Sequence, residues 1–335
     1  MSKLARLRPD NFTLALLCTV ALATMLPCRG WAQPVFETLT TCAIALLFFL
    51  HGAKLSREAI VQGIGHWRLH LAVLASTFLL FPAMGLLTRL APPEVVKPAI
   101  GAGVLYLCLL PSTVQSSIAF TSIAGGNVPA AVCSASASNL IGIFLTPVLA
   151  ALLMGAHGRS GNEVAAVEGV ALQLLVPFVA GHLSRPLIGG WIDKHKALLG
   201  VVDRGSILMV VYTAFSAAVV QGLWRRLSGE DLLMVLLLDG VVLGAALALT
   251  TWAARLLGFN RADEITIVFC GSKKSLASGV PMAGVLFPAA QVGLLIVPLM
   301  IFHQIQLMVC AVLARRYAAR AAAAPMPQVA KQASA

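Results

Sequence analysis

Along this chain apolar residues gather into ten long runs, and most charged residues fall in the segments between them or at their ends. The runs cover residues 12–29, 35–53, 69–90, 98–124, 128–154, 164–187, 205–223, 232–256, 265–287 and 290–314. A helix needs about 20 apolar residues to cross a bilayer core, so the pattern predicts an all-α protein with ten transmembrane helices. Two runs change character midway. The fourth is apolar up to Pro111 and then turns polar through Ser112, Thr113, Gln115, Ser116 and Ser117. The ninth is apolar up to Gly271, turns polar through Ser272, Lys273, Lys274 and Ser275, and meets Pro281 further on. A helix break is expected at both places. The fifth run carries small residues at Ala131, Ser134, Ala135, Ser138 and Gly142, which let helix backbones approach closely. The Asn139 amide lies among them and needs a hydrogen-bonding partner at that depth.

Ten runs divide into two sets of five. An odd-numbered repeat inserts in opposite orientations, so the expected architecture is an inverted repeat, with residues 12–157 as the first unit and 158–316 as the second. The fourth and ninth runs are then equivalent members of the two halves, and paired interruptions of this kind point to a transporter's binding site. Residues 1–11 read as a cytoplasmic N-terminus and 317–335, low in complexity, as a disordered cytoplasmic tail. The first run follows Lys3, Arg6 and Arg8 much as a signal peptide does, but Arg29 interrupts the weak cleavage site, and the run is read as a retained span.

Composition narrows the class. The 335 residues are 59% hydrophobic and 11% charged, against about a quarter charged in soluble domains. This describes a multi-pass membrane protein in contact with the lipid bilayer. The net charge of +11 comes from basic residues scattered over the connecting segments, which argues against nucleic acid as a partner. With both termini in the cytoplasm, sixteen of the 24 Lys and Arg residues fall on the cytoplasmic side and six outside, the bias expected of a plasma-membrane protein, here of a bacterial inner membrane. The seven cysteines show no metal-binding spacing. No HExxH, GxSxG or paired membrane carboxylates suggest an enzyme, and no cofactor or metal is expected. Oligomeric state is not encoded in any pattern found.

The two remaining lysines, Lys273 and Lys274, lie at the centre of the ninth run. Charges at bilayer depth cost at least a few kcal/mol and normally face a protein interior or a water-filled cavity. The candidate substrate or ion site is therefore Ser112, Thr113, Gln115, Ser116 and Ser117 from the fourth run, Ser134, Ser138 and Asn139 from the fifth, and Gly271, Ser272, Lys273, Lys274 and Ser275 from the ninth. Asp239 in the eighth run is a candidate proton-linked group and a candidate partner for one of the lysines; His303 in the tenth, with Gln304 and Gln306 nearby, is a second. These residues fit a secondary transporter of an anion. They also fit a cation/proton antiporter-like exchanger on a similar plan, or a membrane protein that binds a ligand or regulates a partner without transport.

The stretch PSTVQSSIAFTSIAGGNVPAAVCSASASNLIGIFLTPVL and the motif GSKKSLASGVPMA resemble the corresponding segments of the bile acid:sodium symporter family, solute carrier family 10, and most of all its divergent bacterial sodium-dependent-transporter-like branch. The resemblance implies ten spans, crossing discontinuous helices four and nine, a core and a panel domain, and transport by alternating access. It also exposes departures. The family's serine–asparagine pair falls on Ser116 and Ser117, its span-five hydroxyls on Ala131 and Ala135, its glutamate on Phe269 and its glutamine on Lys273. The carboxylate is gone and an ammonium has arrived, which would repel sodium. The expectation is that Lys273 or Lys274 replaces the sodium ion, holds the crossing together and attracts a small organic anion, with Na+ or H+ left as the coupling ion.

Overall fold

The computed structural model describes residues 11–54, 64–155 and 163–322. The described residues are helical almost throughout: α1 (Asn11–Met25), α2 (Ala32–Lys54), α3 (Trp67–Leu90), α4 (Pro98–Leu109), α5 (Gln115–Ala124), α6 (Val128–Met154), α7 (Glu163–Lys194), α8 (Lys196–Val220), the four-residue α9 (Leu223–Arg226), α10 (Gly229–Leu256), α11 (Arg261–Gly271), α12 (Leu276–Leu286), α13 (Ala289–Leu295) and α14 (Val297–Ala322). Among the described residues six helical segments are long and apolar enough to cross a membrane: α2, α3, α6, α8, α10 and the α13–α14 segment to Arg320. The chain is a multi-pass, all-helical membrane protein.

Both expected breaks are present. The fourth run divides into α4 and α5 around residues 110–114, and the ninth into α11 and α12 around residues 272–275. Pro111 cannot donate a backbone hydrogen bond, so α4 cannot continue through it. Two boundaries need correction. The segment 188–204, read as a connection, is largely helical, because α7 runs to Lys194 and α8 starts at Lys196. Its basic residues extend the helices beyond their apolar centres instead of ending them. The tail begins later than residue 317, since α14 continues to Ala322; the remaining 323–335 lie outside the described residues, as do residues 1–10 and the expected half-boundary at 157.

Helix ends follow local chemistry. The side chain of Ser228 accepts from Asp231 N, and the Asp231 carboxylate accepts in return from Ser228 N, a reciprocal cap that starts α10. Asn127, Asn260 and Ser275 cap α6, α11 and α12 with a side-chain oxygen that accepts from the backbone N–H three residues on. Inside α3 the backbone widens into a π-helical turn at Ser76–Leu80, where Phe81 N–H reaches back to Ser76 O. The next residue is Pro82, which has no N–H. Thr77 O is therefore passed over by Phe81 and cannot be met by Pro82.

Packing falls into two groups. Helix α2 lies along α7, and α1 and α2 pack on α8. The second group surrounds α4 and α5 with α3, α6, α10, α11 and α14. Helix α8 touches α12 and α13, which links the groups. Backbone contact between α2 and α7 is direct: a Cβ at Gly52 would lie 1.9 Å from Phe178 O, and one at Gly181 would lie 1.9 Å from Phe49 O. A side chain at either position forces the helices apart. Gly181→Ala should therefore lower the melting temperature of the detergent-purified protein by several degrees, whereas Gly190→Ala, on the same helix with open space around it, should leave it unchanged or raise it.

Candidate functional site

The two breaks meet. Ser275 N–H donates to Pro111 O at 2.9 Å, so the end of one interrupted helix is stitched to the other. A broken helix leaves carbonyls without backbone partners, and at this depth each must be satisfied by protein. From Cys108 to Ser112 every carbonyl is met. Lys274 Nζ donates to Cys108 O at 2.9 Å and to Leu110 O at 2.6 Å. Thr146 Oγ1 donates to Leu109 O at 2.9 Å, Ser275 N to Pro111 O, and Asn139 Nδ2 to Ser112 O at 2.7 Å. The α11 end is closed reciprocally. Ser117 Oγ donates to Phe269 O at 3.0 Å, Ser112 Oγ to Cys270 O at 2.5 Å and Ser76 Oγ to Gly271 O at 2.8 Å.

Lys274 is the centre of this arrangement. Its third hydrogen bond goes to Thr77 O at 2.9 Å, the carbonyl that the π-helical turn and Pro82 leave open. One ammonium thus uses all three of its protons on carbonyls from α3 and the end of α4, with the Phe81 ring 4.2 Å away on another side. A positive charge there is favoured by the partial negative charge at a helix C-terminus and by the aromatic face. The Lys274 peptide is held as well: Gln306 Oε1 accepts from its N–H at 3.0 Å and Gln306 Nε2 donates to its O at 2.9 Å. Lys273 is held differently. It donates to Ser116 O at 2.8 Å and lies over Phe120 at 4.1 Å and Phe269 at 5.3 Å.

Most of the expected residues come together here. Thr113 shares hydroxyl hydrogen bonds with Ser116 at 2.7 Å and Ser117 at 3.0 Å. Ser138 Oγ accepts from Ser112 N at 3.1 Å, and Asn139 Oδ1 accepts from Ser278 Oγ at 2.7 Å, which supplies the partner its amide needed. Gly271 accepts from Ser76, and Ser272 Oγ turns back to Val268 O at 2.6 Å, terminating α11. Others stand apart. Gln115 is exposed at the start of α5, and Ser134, one turn before Ser138 on α6, bonds His70 Nδ1 at 2.6 Å instead of a group at the breaks. His303 Nδ1 lies 2.9 Å from Gln306 Nε2, one residue removed from the Lys274 peptide.

Of the two settings expected for the lysines, a protein interior or a cavity, the structure shows the interior: both are 0% exposed, and their ammonium groups face carbonyl oxygens and aromatic rings. The pairing expected for Asp239 is corrected. Asp239 pairs with neither lysine, because the Lys274 protons are all committed to carbonyls and Lys273 turns the other way, toward α5. Nor does Asp239 reach an interface with water. It is 0% exposed, and neither carboxyl oxygen has a hydrogen-bond partner among the described residues.

Sequence reading missed Ser76, Thr77 and Thr146. The signals were there. Pro82 stands five residues after Thr77, where its missing N–H tells only if the helix widens. Ser138, Gly142 and Thr146 recur every four residues, which puts them on one face of α6. That face follows the broken strand of α4–α5: Ser138 meets Ser112 N, Gly142 would place a Cβ 2.7 Å from Pro111 Cβ, and Thr146 meets Leu109 O.

A membrane protein organised around two interrupted helices, with the breaks joined by mutual hydrogen bonds, belongs by architecture among the secondary transporters. Comparison with known proteins makes this particular: the chain belongs to the SBF-like CPA transporter family, whose model matches residues 10–319. It is 61% identical over 315 residues to the uncharacterized protein PA2026 of Pseudomonas aeruginosa, covering 94% of this chain and 95% of that one. It is 59% identical over 308 residues to "Putative symporter YfeH" of Escherichia coli K12, covering 92% of each. It is 28% identical over 319 residues to sodium/bile acid cotransporter 7 of Mus musculus, covering 93% of this chain and 94% of that one. The protein is a transporter of this family, not an enzyme.

The unequal surroundings of the lysines set an order of stability. Lys274→Met keeps the volume but strands three buried carbonyls, at about 1–3 kcal/mol each. Lys273→Met removes one hydrogen bond to a carbonyl that lies within helix α5 and keeps the contact with the rings. Thermal unfolding in detergent should show a much larger loss for Lys274→Met than for Lys273→Met; equal losses would contradict the assignment.

Proposed function

We propose that the protein is a secondary-active transporter of a small organic anion, working by alternating access and without sodium. The observation that carries this reading is the position of the Lys274 ammonium among three backbone carbonyls of α3 and α4, where a bound cation would otherwise be needed. Sodium requires several oxygen ligands and a compensating charge. Here the oxygens are occupied by a covalently attached cation, and the glutamate position of the family resemblance is the buried Phe269.

The site residues take the following roles in this reading. Lys274, with Ser112, Asn139, Ser272, Ser275 and Gly271, fixes the two breaks as a unit. Helices α5 and α12 begin at the breaks, and their N-terminal peptide groups favour an anion. Thr113, Ser116 and the exposed Gln115 at the start of α5 are the groups offered to a substrate. The two halves, from α1 to α6 and from α7 to α14, are inverted repeats. The α3–α6 and α10–α14 group is the mobile core, and α1, α2, α7 and α8 form the panel against which it moves. The membrane is the bacterial inner membrane, with both termini cytoplasmic.

The coupling ion in this reading is the proton, and Asp239 is its carrier. A buried carboxyl whose two oxygens lack hydrogen-bond partners among the described residues is costly to ionise, so in this reading its charge changes only when the packing around it changes. A cation/proton exchanger would use the same carboxyl and would move protons without any organic anion.

Thermal-shift screening of the purified protein against organic carboxylates and sulfonates, in sodium chloride and in choline chloride, tests the first part. Stabilising anions should shift the melting temperature equally in the two salts; a shift that requires sodium would sink the reading. For an anion so found, a pH gradient across proteoliposomes should drive accumulation. Asp239→Asn should abolish that response while leaving anion counterflow in place. Proton movement seen by a pH-sensitive dye with no anion present would favour the exchanger instead.

A further inference from the structure

Away from the breaks, the C-terminal halves of α10 and α14 enclose a groove of about 780 Å³. Its deeper part is apolar, walled by Leu247, Met308, Val309 and Val312. Its other end is ringed by Trp252, Arg255, Arg316 and Arg320. By helix rise, Arg255 lies about 12 Å along α10 from Leu247, and Arg320 about 18 Å along α14 from Met308. The groove is thus apolar toward the middle of the membrane and basic toward its surface, with an exposed tryptophan at the level where such rings prefer the interface.

Two of the three arginine charges have no acidic partner among the described residues. No carboxylate lines the groove. The nearby Glu264 is held by Arg255, at 3.0 Å and 3.1 Å, and by Tyr317 OH at 3.0 Å, which fixes the Arg255 side chain in place. Neither Arg316 nor Arg320 has an acidic partner among the described residues, and both are exposed. Two unpaired guanidinium groups over an apolar slot match a molecule with an anionic head and hydrocarbon tails. Guanidinium forks suit phosphate oxygens in particular.

We propose that this groove is a binding site for an anionic phospholipid, with the phosphodiester head on Arg316 and Arg320, braced by Arg255, and the acyl chains along Met308, Val309 and Val312. Helix α14 supplies Gln306, which holds the Lys274 peptide, so a lipid seated here rests on the same helix that anchors the joined breaks. The site is independent of the transport reading and stands or falls separately from it.

Native mass spectrometry of the whole protein, titrated with phosphatidylglycerol or with phosphatidylcholine in mild detergent, tests it. The wild type should retain phosphatidylglycerol preferentially. The double variant Arg316→Gln/Arg320→Gln should bind it about 30-fold more weakly, at about one kcal/mol per basic residue facing the head group. Val309→Trp, which fills the slot without changing charge, should also displace it, and Lys196→Gln, a basic residue elsewhere, should not. Melting curves without added lipid show whether each variant is folded. Phosphatidylglycerol should raise the melting temperature of the wild type and of Lys196→Gln but not of a folded double variant. Equal retention of the two lipids, unchanged binding in the double variant, or a dimer whose interface fills the groove and excludes lipid would each overturn the proposal.

Discussion

The Lys274 ammonium is the interaction on which the rest of this structure depends. Three carbonyls from two helices converge on it: Pro82 lacks the N–H that would meet Thr77 O, and the chain leaves the helix at Pro111, so that Ser112 N–H turns to Ser138 instead of Cys108 O. A charge in the middle of a membrane protein is ordinarily a liability. Here it is the donor that makes the other irregularities tolerable. The π-helical turn in α3 and the break after α4 are each unfavourable alone, and the break after α11 delivers the side chain that answers them. Each of the three defects needs the others.

That mutual dependence explains why the site was only half readable from the chain. The breaks were legible because their causes are local: Pro111 stops α4, and the polar cluster after Gly271 stops α11. The lysines were legible as anomalies for the same reason. Their partners were not, since they are backbone oxygens, which carry no residue signature, brought together from positions nearly two hundred residues apart. The four-residue spacing of Ser138, Gly142 and Thr146 was visible in principle, but small residues in a membrane helix suggest packing before they suggest hydrogen bonding. The expected ion pair with Asp239 failed on a general point: an opposite charge in the same membrane is a weaker guide than the geometry of free carbonyls.

The two lysines look equivalent in sequence and are not equivalent in structure. Lys274 is bound by three directional hydrogen bonds and by Gln306 on both sides of its own peptide. Lys273 has one hydrogen bond and two ring faces, in a cluster formed by Phe120, Phe269, Cys310 and Tyr317. Ring faces attract a cation without fixing its direction. Lys274 therefore has the features of a structural cation, while Lys273 keeps more freedom of position at the start of α5.

A covalent cation has a consequence that a bound one does not. A sodium ion enters and leaves, so its site links transport to the sodium gradient. A lysine side chain stays with the protein, and its presence gives no gradient to draw upon. If the breaks are held by Lys274 throughout the cycle, the driving force must enter elsewhere, through a group whose charge changes between the two sides of the membrane. Asp239 is a buried carboxyl with no hydrogen-bond partner among the described residues, it sits on α10 among the helices around α4, and its ionisation would leave an unpaired charge in the present packing. A packing that cannot hold the charged form must rearrange when the proton leaves. On the proposed reading, it is this carboxyl, and not the conspicuous lysine pair, through which an ion gradient would do work on the protein.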